Sequence, residues 1–383
     1  MAEGPFLSTG RATLTAPEKL LRLNWGLVLL IAAVGGIGLA MLYSAANGSW
    51  QPWAGRQSIR LGVAACIMIA VALVDIRVWL RFAYPIYATM LVLLVGVGMR
   101  GAVGMGAQRW IDLGVIQLQP SELMKVALIL ALARYFHGLD LERVGRPWRL
   151  IMPAAMVLIP AGLVLKQPDL GTALMLVLGG AAMFFLGGVR WWMFVLVGAV
   201  GGSAVPLIWR HLRDYQRARI ISFLNPENDP LGAGYHNLQS RIAIGSGGEF
   251  GKGFMAGTQA HLNFLPEKQT DFVFTMFAEE FGLVGGVTLL AIYFLIFVYG
   301  FAIAFSSRSN FGRLLALGIT TNFALYVVIN MAMVMGLIPI VGVPLPLVSY
   351  GGTAMLTIMI GFGLLMSVYI HRDARIGRHG EEE

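Results

Sequence analysis

The sequence has a single cysteine in 383 residues, Cys66. It lies inside an apolar run, so neither a disulfide framework nor a cysteine metal site is available. Charge is scarce as well: 13% of residues are charged, against about 25% in soluble domains. Hydrophobic residues make up 57% of the chain and mean hydropathy is +0.73. That balance excludes a soluble globular protein and points to an integral membrane protein. Apolar runs near 20 residues point to helices and away from a β-barrel, whose strands alternate with period two. No GxxxxGK[ST] sequence is present, which removes a P-loop. The first 20 residues lack an apolar signal-peptide core and a cleavage site, so the first span is expected to direct insertion. His211, His236 and His261 are scattered and define no metal site.

What is present are ten apolar runs. They fall at about Asn24–Ser44, Ile59–Val74, Phe82–Val97, Glu122–Phe136, Leu150–Leu165, Leu170–Leu186, Trp191–Trp209, Phe272–Phe301, Leu314–Met335 and Leu347–Ile370. The expected fold is an all-α polytopic membrane protein, one domain over 1–383. About ten transmembrane helices are read, with one large extracytoplasmic loop, 210–270, between the seventh and eighth. Fifteen of the 28 Lys and Arg sit in or beside the segments that alternate to one side. By the positive-inside rule these are cytoplasmic, as are the tails 1–22 and 371–383. The net charge of +8 is explained by these loops and not by nucleic acid. No internal repeat is evident, so an inverted-repeat transporter gains no support.

Polar residues collect on the outer side. Asp271 sits where a polar, proline-containing loop turns into an apolar helix. A carboxylate at the mouth of a membrane helix is costly unless paired or used. Two readings stand: an N-cap for the helix, or a reactive group. The loop after the third span carries Arg109, Asp112, Gln117, Gln119, Glu122 and Lys125. Glu122 and Lys125 are three apart and share a helix face, either as an internal ion pair or as a polar floor for a charged headgroup. Pro120 suits the first turn of a helix. Gln167-Pro168-Asp169 leaves the same two readings open, a structural one with Asp169 as N-cap of the sixth span and a polar floor for a charged headgroup.

The long loop opens with Arg210, Arg213, Arg217 and Arg219, either a solvated interfacial helix or a binder of lipid phosphates, for which Arg offers a bidentate fork. Six glycines between Gly245 and Gly257 make a flexible or tightly turned segment, able to bring backbone N–H groups close to a ligand. The stretch Gly336–Gly352, with Pro339, Pro344 and Pro346, breaks helix. Irregular backbone near membrane depth survives only when buried or lining a wet cavity, so Pro344, Pro346, Ser349 and Gly351 are expected in a cavity wall.

Six ordered segments then carry a resemblance: RWIDLGVIQLQPSELMK, KQPDLGTAL, YQRARIISFLNP, GYHNLQSRIAIGSGGEFGKG, LPEKQTDFVFTMFAEEFGLVG and GLIPIVGVPLPLVSYGG. Over essentially its whole length the chain resembles the SEDS (shape, elongation, division and sporulation) family. Short tails and the FLPEKQTDF-type motif place it nearer the elongation branch than the division branch. Gln269 departs from the basic residue many relatives carry there.

The resemblance implies a peptidoglycan glycosyltransferase of the bacterial inner membrane. It would polymerise lipid II through β-1,4 bonds with inversion, release undecaprenyl pyrophosphate, and work with a class B penicillin-binding protein. By the same resemblance Asp271 matches the family's essential aspartate. The chemistry is compatible: a carboxylate at the water–lipid seam can take the acceptor proton. The leaving pyrophosphate calls for cations beside it, with Arg109, Lys125, Lys166, Arg219 and Lys268 as candidates, Glu122 orienting Lys125 and Asp169 orienting Lys166. No cofactor is required by any pattern; Mg²⁺ or Mn²⁺ is compatible with the leaving group, but no ligand set marks a site. Rival readings are a lipid II flippase and a non-catalytic scaffold for a penicillin-binding protein.

Overall fold

The computed structural model describes residues 15–377 except 101, 105–106, 113–116, 140–144, 212–213, 226–232, 263 and 265–266. Arg11, Arg143, Arg213 and Arg378, which entered the charge count or the long-loop reading, lie outside the described residues. Helices dominate: α1 (Ala16–Leu21), α2 (Trp25–Ala45), α3 (Ala54–Leu73), α4 (Ile76–Arg100) and α5 (Pro120–His137). They continue as α6 (Pro147–Lys166), α7 (Leu170–Leu186), α8 (Trp191–Ser203), α9 (Val205–His211) and α10 (Asp214–Leu224). The last are α11 (Ala233–Ser246), α12 (Thr258–His261), α13 (Val273–Ser306), α14 (Asn310–Val334) and α15 (Gly352–Ile370). Among the described residues, seven helices (α2, α3, α4, α6, α13, α14 and α15) are long and apolar enough to cross a membrane.

The other three expected spans appear as helices that fall short for identifiable reasons. α5 carries Glu122, Lys125 and Arg134. α7 has 17 residues. The seventh run breaks into α8, 13 residues long, and α9, which places Pro206 near its start. Proline inside a helix removes a hydrogen bond and clashes with the preceding turn. The tenth run also differs: helix begins at Gly352, not Leu347, so 347–351 belongs to the irregular segment before it.

The glycine-rich stretch after α4, read as loop, contains a small antiparallel sheet in the order β1 (Ala102–Gly104), β2 (Ala107–Asp112), β3 (Gln117–Leu118). Its register pairs Ile111 with Leu118 and Asp112 with Gln117. Thr353 Oγ1 donates to Gln117 O at 2.9 Å, fastening the sheet to the start of α15.

α14 and α15 form the centre. Their apolar windows are 78% buried, against 22–39% for the other five spans. Association of helices in lipid rests on close van der Waals contact between small residues. Gly363 illustrates it: a Cβ there would stand 2.6 Å from Met68 O of α3.

The 34 residues of α13 would extend about 51 Å as straight helix, well beyond the roughly 30 Å hydrocarbon core. The helix kinks instead at Gly282, whose φ of 64° lies in the left-handed region. A kink strands backbone groups that cannot go unsatisfied near lipid. The glycine-rich loop supplies the partners. Lys252 and Gly253 N–H groups donate to Glu279 O and Glu280 O, both at 3.0 Å. Leu283 and Val284 N–H groups donate to Gly248 O and Glu249 O at 2.9 and 3.0 Å. The close backbone approach that the glycines were expected to offer a ligand is therefore spent on α13.

The buried side chains beside the kink are paired with the same loop. Glu279 accepts from Lys252 Nζ at 2.7 Å and from Gln259 N at 3.0 Å. Glu280 accepts from Ser44 Oγ at 2.5 Å, with His261 Nε2 at 3.5 Å. Gly251→Val should prevent this docking, because its Cβ would meet Glu280 O at 2.1 Å and its φ is +81°. The expected result is loss of monodisperse protein on size exclusion in detergent; a stable, active Gly251→Val protein would contradict it.

Candidate functional site

The site is built by three irregular segments meeting at one end of α5, α7 and α13. The first is the turn 267–272 that leads into α13. The N-cap of α13 is Phe272, with no side-chain cap hydrogen bond. The capping reading of Asp271 is therefore excluded. Among the described residues no hydrogen bond reaches the Asp271 carboxylate; only its backbone carbonyl is engaged, accepting from Asn330 Nδ2 at 3.0 Å. The side chain is partly open to solvent by area, yet enclosed by neighbouring atoms. Burial first, and then the negative charges of Glu267 and Asp169 against the opposing pull of Arg219, push its pKa up to about 7.

The second segment runs from Gly336 to Gly351. It is non-helical, as its prolines dictate, tied to the first segment at residues 349–350 and to α13 and α14 elsewhere. Ser349 Oγ donates to Thr270 O at 2.5 Å, and Tyr350 N donates to Gln269 O at 2.8 Å. Tyr293 Oη donates to Pro346 O at 2.7 Å, and Asn330 Nδ2 also donates to Val343 O at 2.7 Å. Pro346 and Ser349 are buried, and Pro344 and Gly351 half-buried. Gly342 lies beneath the carboxylate: a Cβ there would stand 3.4 Å from Asp271 Oδ2, and its φ of +73° independently favours glycine.

The third segment joins β2, the start of α5 and the α6–α7 turn. Asp169 is the N-cap of α7, as read from sequence: Oδ1 accepts from Thr172 N at 3.1 Å and Oδ2 from Thr172 Oγ1 at 3.0 Å. Gln119 Nε2 donates to Asp169 Oδ2 at 3.1 Å, and Arg109 Nη1 lies 3.9 Å from the same oxygen. Arg109 also donates to Gln167 O at 3.0 Å and to Pro168 O. Asp169 thus orients Arg109. The expected pairing with Lys166 does not form; Lys166 is exposed on the last turn of α6, where a cation suits the helix dipole.

Glu122 and Lys125 do share a face, and both are buried. Lys125 Nζ donates to Glu122 Oε1 at 2.6 Å, and Tyr326 Oη donates to Glu122 Oε2 at 2.7 Å. The ammonium lies 4.3 Å from the Tyr326 ring centroid. Arg219, on α10, donates to Ile340 O at 3.1 Å, which links the long loop to the second segment close to Asp271. Lys268 is buried, and burial pushes its pKa down.

The sequence reading missed Tyr326 and Asn330. The signal was available: Asn322, Tyr326 and Asn330 are spaced four apart in the otherwise apolar stretch 322–334 and so share one face. A separate apolar cavity of about 420 Å³ lies between α2 and α13, lined by Met41, Phe277, Phe281 and Leu289 among others. Its lining holds none of the polar site residues. Among the described residues, no three His, Cys, Asp or Glu side chains converge as a metal site.

Comparison with known proteins gives a consistent result. The family model FTSW_RODA_SPOVE, cell cycle protein, matches residues 20–374. The peptidoglycan glycosyltransferase MrdB of Escherichia coli (strain K12) is 45% identical over 320 residues, covering 83% of this chain and 85% of MrdB. A chain from a peptidoglycan synthase complex, solved to describe coordination of polymerization and crosslinking, superposes with TM-score 0.80 at 35% identity. It covers 91% of this chain and 98% of that one. The rod shape determining protein RodA of Thermus thermophilus superposes with TM-score 0.69 at 32% identity, covering 91% and 97%.

Proposed function

The chain belongs to the FtsW/RodA/SpoVE family of cell cycle proteins, and from that membership and the geometry at Asp271 we propose how it works. It is a membrane-embedded peptidoglycan glycosyltransferase of the rod-shape type. The substrate assigned here is lipid II. The acceptor sugar hydroxyl attacks the anomeric carbon of the donor; the bond from that carbon to the pyrophosphate oxygen breaks, and the electron pair leaves as undecaprenyl pyrophosphate. Asp271 takes the acceptor proton.

The observation that carries this reading is a carboxylate that caps nothing, sits at the head of α13, and has its pKa pushed to about 7. A base with pKa near the working pH combines adequate ionisation with proton affinity. Arg219 and Lys268 are the cations of the same turn and loop, and part of the charge that develops on the leaving pyrophosphate is assigned to them. The described residues do not by themselves build a divalent-cation site. Mg²⁺ or Mn²⁺ is proposed to enter only as a companion of the substrate phosphates, as Mg²⁺ commonly does.

The partner proposed is a class B penicillin-binding protein, in line with the synthase complex that the chain resembles. Both termini are assigned to the cytoplasmic side of the inner membrane, supported by the distribution of Lys and Arg. The flippase reading has less support, because the polar groups gather at one end of the helices, whereas transporters bind near the bilayer midplane.

Three measurements test the reading. Purified protein with its transpeptidase partner should convert lipid II into a ladder of glycan strands; lipid II translocation in liposomes without a ladder would replace it with the flippase. The rate should also fall as pH drops through about 7, because the protonated acid cannot accept a proton. Arg219→Gln removes the charge that holds this pKa down. The acid limb of kcat/KM should then move to higher pH; a limb that stays in place or moves down would separate Arg219 from Asp271.

A further inference from the structure

The cations foreseen for the leaving pyrophosphate are mostly engaged within the protein. Arg109 is spent on two carbonyls and Asp169, Lys125 on Glu122, and Lys166 stands apart on α6. One guanidinium that the sequence reading passed over is not engaged in this way. Arg60 lies two turns into α3, half-buried, in a helix apolar enough to cross a membrane. Among the described residues no carboxylate pairs with it and no carbonyl accepts from it. Arginine inside membrane helices ordinarily has such a partner, and its absence marks a functional position.

Its surroundings belong to the site. The guanidinium carbon lies 4.8 Å from the Tyr350 ring centroid, and the Tyr350 N–H is bonded to Gln269, two residues before Asp271. A Cβ on Gly352 would come within 3.3 Å of Arg60 Nε, so this glycine leaves the guanidinium its room. One turn earlier on the same face, buried Gln57 donates through Nε2 to Ser349 O at 3.0 Å. α3 is thereby clasped to the 349–352 stretch at a fixed height, with the Tyr350 ring beside the guanidinium and, among the described residues, no acceptor on its N–H donors.

We infer that Arg60 is a substrate-binding residue, receiving the pyrophosphate of a lipid-linked sugar on the α3 side of the Asp271 turn. A planar fork of donors matches phosphate oxygens bidentately, and an anion there would compensate a charge that no described carboxylate pairs with. This inference rests on the glycosyltransferase reading for its substrate and deepens it.

The test uses the full complex with its transpeptidase partner, comparing wild type with Arg60→Gln and Arg60→Lys. Lipid II polymerisation is measured with undecaprenyl pyrophosphate, undecaprenol or phosphatidylglycerol as competitor. Arg60→Gln should raise KM for lipid II about tenfold with a much smaller change in kcat, and weaken inhibition by undecaprenyl pyrophosphate by the same factor. Arg60→Lys should fall between, since it keeps the charge and loses the fork; it carries the test alone if Arg60→Gln does not fold.

Unchanged KM and inhibition would overturn the inference, as would a fall in kcat at constant KM, which reports structure and not phosphate binding. Inhibition by undecaprenol weakened equally would assign Arg60 to the lipid tail. Competition by phosphatidylglycerol as strong as that by the pyrophosphate would assign it to bulk anionic lipid. Both contradict the inference. If wild type makes no polymer, the polymerase reading fails separately, and direct binding of undecaprenyl pyrophosphate to wild type and Arg60→Gln still decides the role of Arg60.

Discussion

Asp271→Asn is expected to abolish glycan-strand synthesis while leaving the fold intact. Asn has nearly the shape of Asp and is as good a helix N-cap. The substitution therefore separates capping from chemistry: a capping role would survive it and a base would not. The structure has already assigned the cap position to Phe272, without a side-chain bond. The backbone carbonyl that Asn330 binds is untouched by the change. Loss of a positioned base commonly costs about 10²–10⁴ in rate; a fall of at least about a thousandfold is expected. The readouts are the lipid II ladder on a gel and the melting curve in detergent, which should be near wild type. Polymer made at the wild-type rate by folded Asp271→Asn would dismiss Asp271 as the base. Asp271→Glu should keep a small fraction of activity, because the carboxylate remains but is displaced above Gly342.

Glu122→Gln should produce the largest loss of stability. Lys125 and Glu122 are almost fully covered, with side-chain exposures of 2% and 7%. Taking two ions out of water is expensive, and their mutual attraction repays it only while both are present. Replacing the carboxylate by an amide leaves the ammonium buried against a neutral partner, a loss of about 3–5 kcal/mol. The Tyr326 hydroxyl loses an ionised acceptor at the same time. Thermal unfolding of the purified protein should shift down sharply. Combining Glu122→Gln with Lys125→Met should recover most of the shift, since no uncompensated charge then remains. A double variant no more stable than the single one would show that the pair is held by more than its own charges. If the recovered double variant is folded but polymerises slowly, Lys125 acts on substrate beyond its structural pairing.

Local sequence was informative wherever a signal is carried by a few consecutive residues. Apolar runs located the helices. Pro120 opened α5, Asp169 capped α7, and the three prolines after α14 broke the chain where they were expected to. The Glu122–Lys125 pair followed from spacing alone. Local sequence misled where partners arrive from afar. Asp271 looks like a cap because caps are judged from neighbours within a turn. The glycines after α11 look like a ligand loop because nothing nearby announces the kink at Gly282 that consumes their backbone groups. Lys166 looks like the partner of Asp169 because it is three residues away, while Arg109 reaches it from a strand 60 residues earlier.

What the sequence determined by itself is thus the solvent and the elements: a membrane protein, its helices and their breaks, and one carboxylate at a seam. These follow from hydropathy and backbone chemistry, which act within a turn or a span. The tertiary structure decided which charges are spent and which stay available. It neutralised Lys125 and Arg109 with partners of their own, enclosed Asp271 so that its proton is held near neutrality, and left Arg60 facing an aromatic ring with no anion among the described residues. Such outcomes depend on burial and on distances between segments far apart in the chain, and in a low-dielectric interior those two quantities set the energy of every charge.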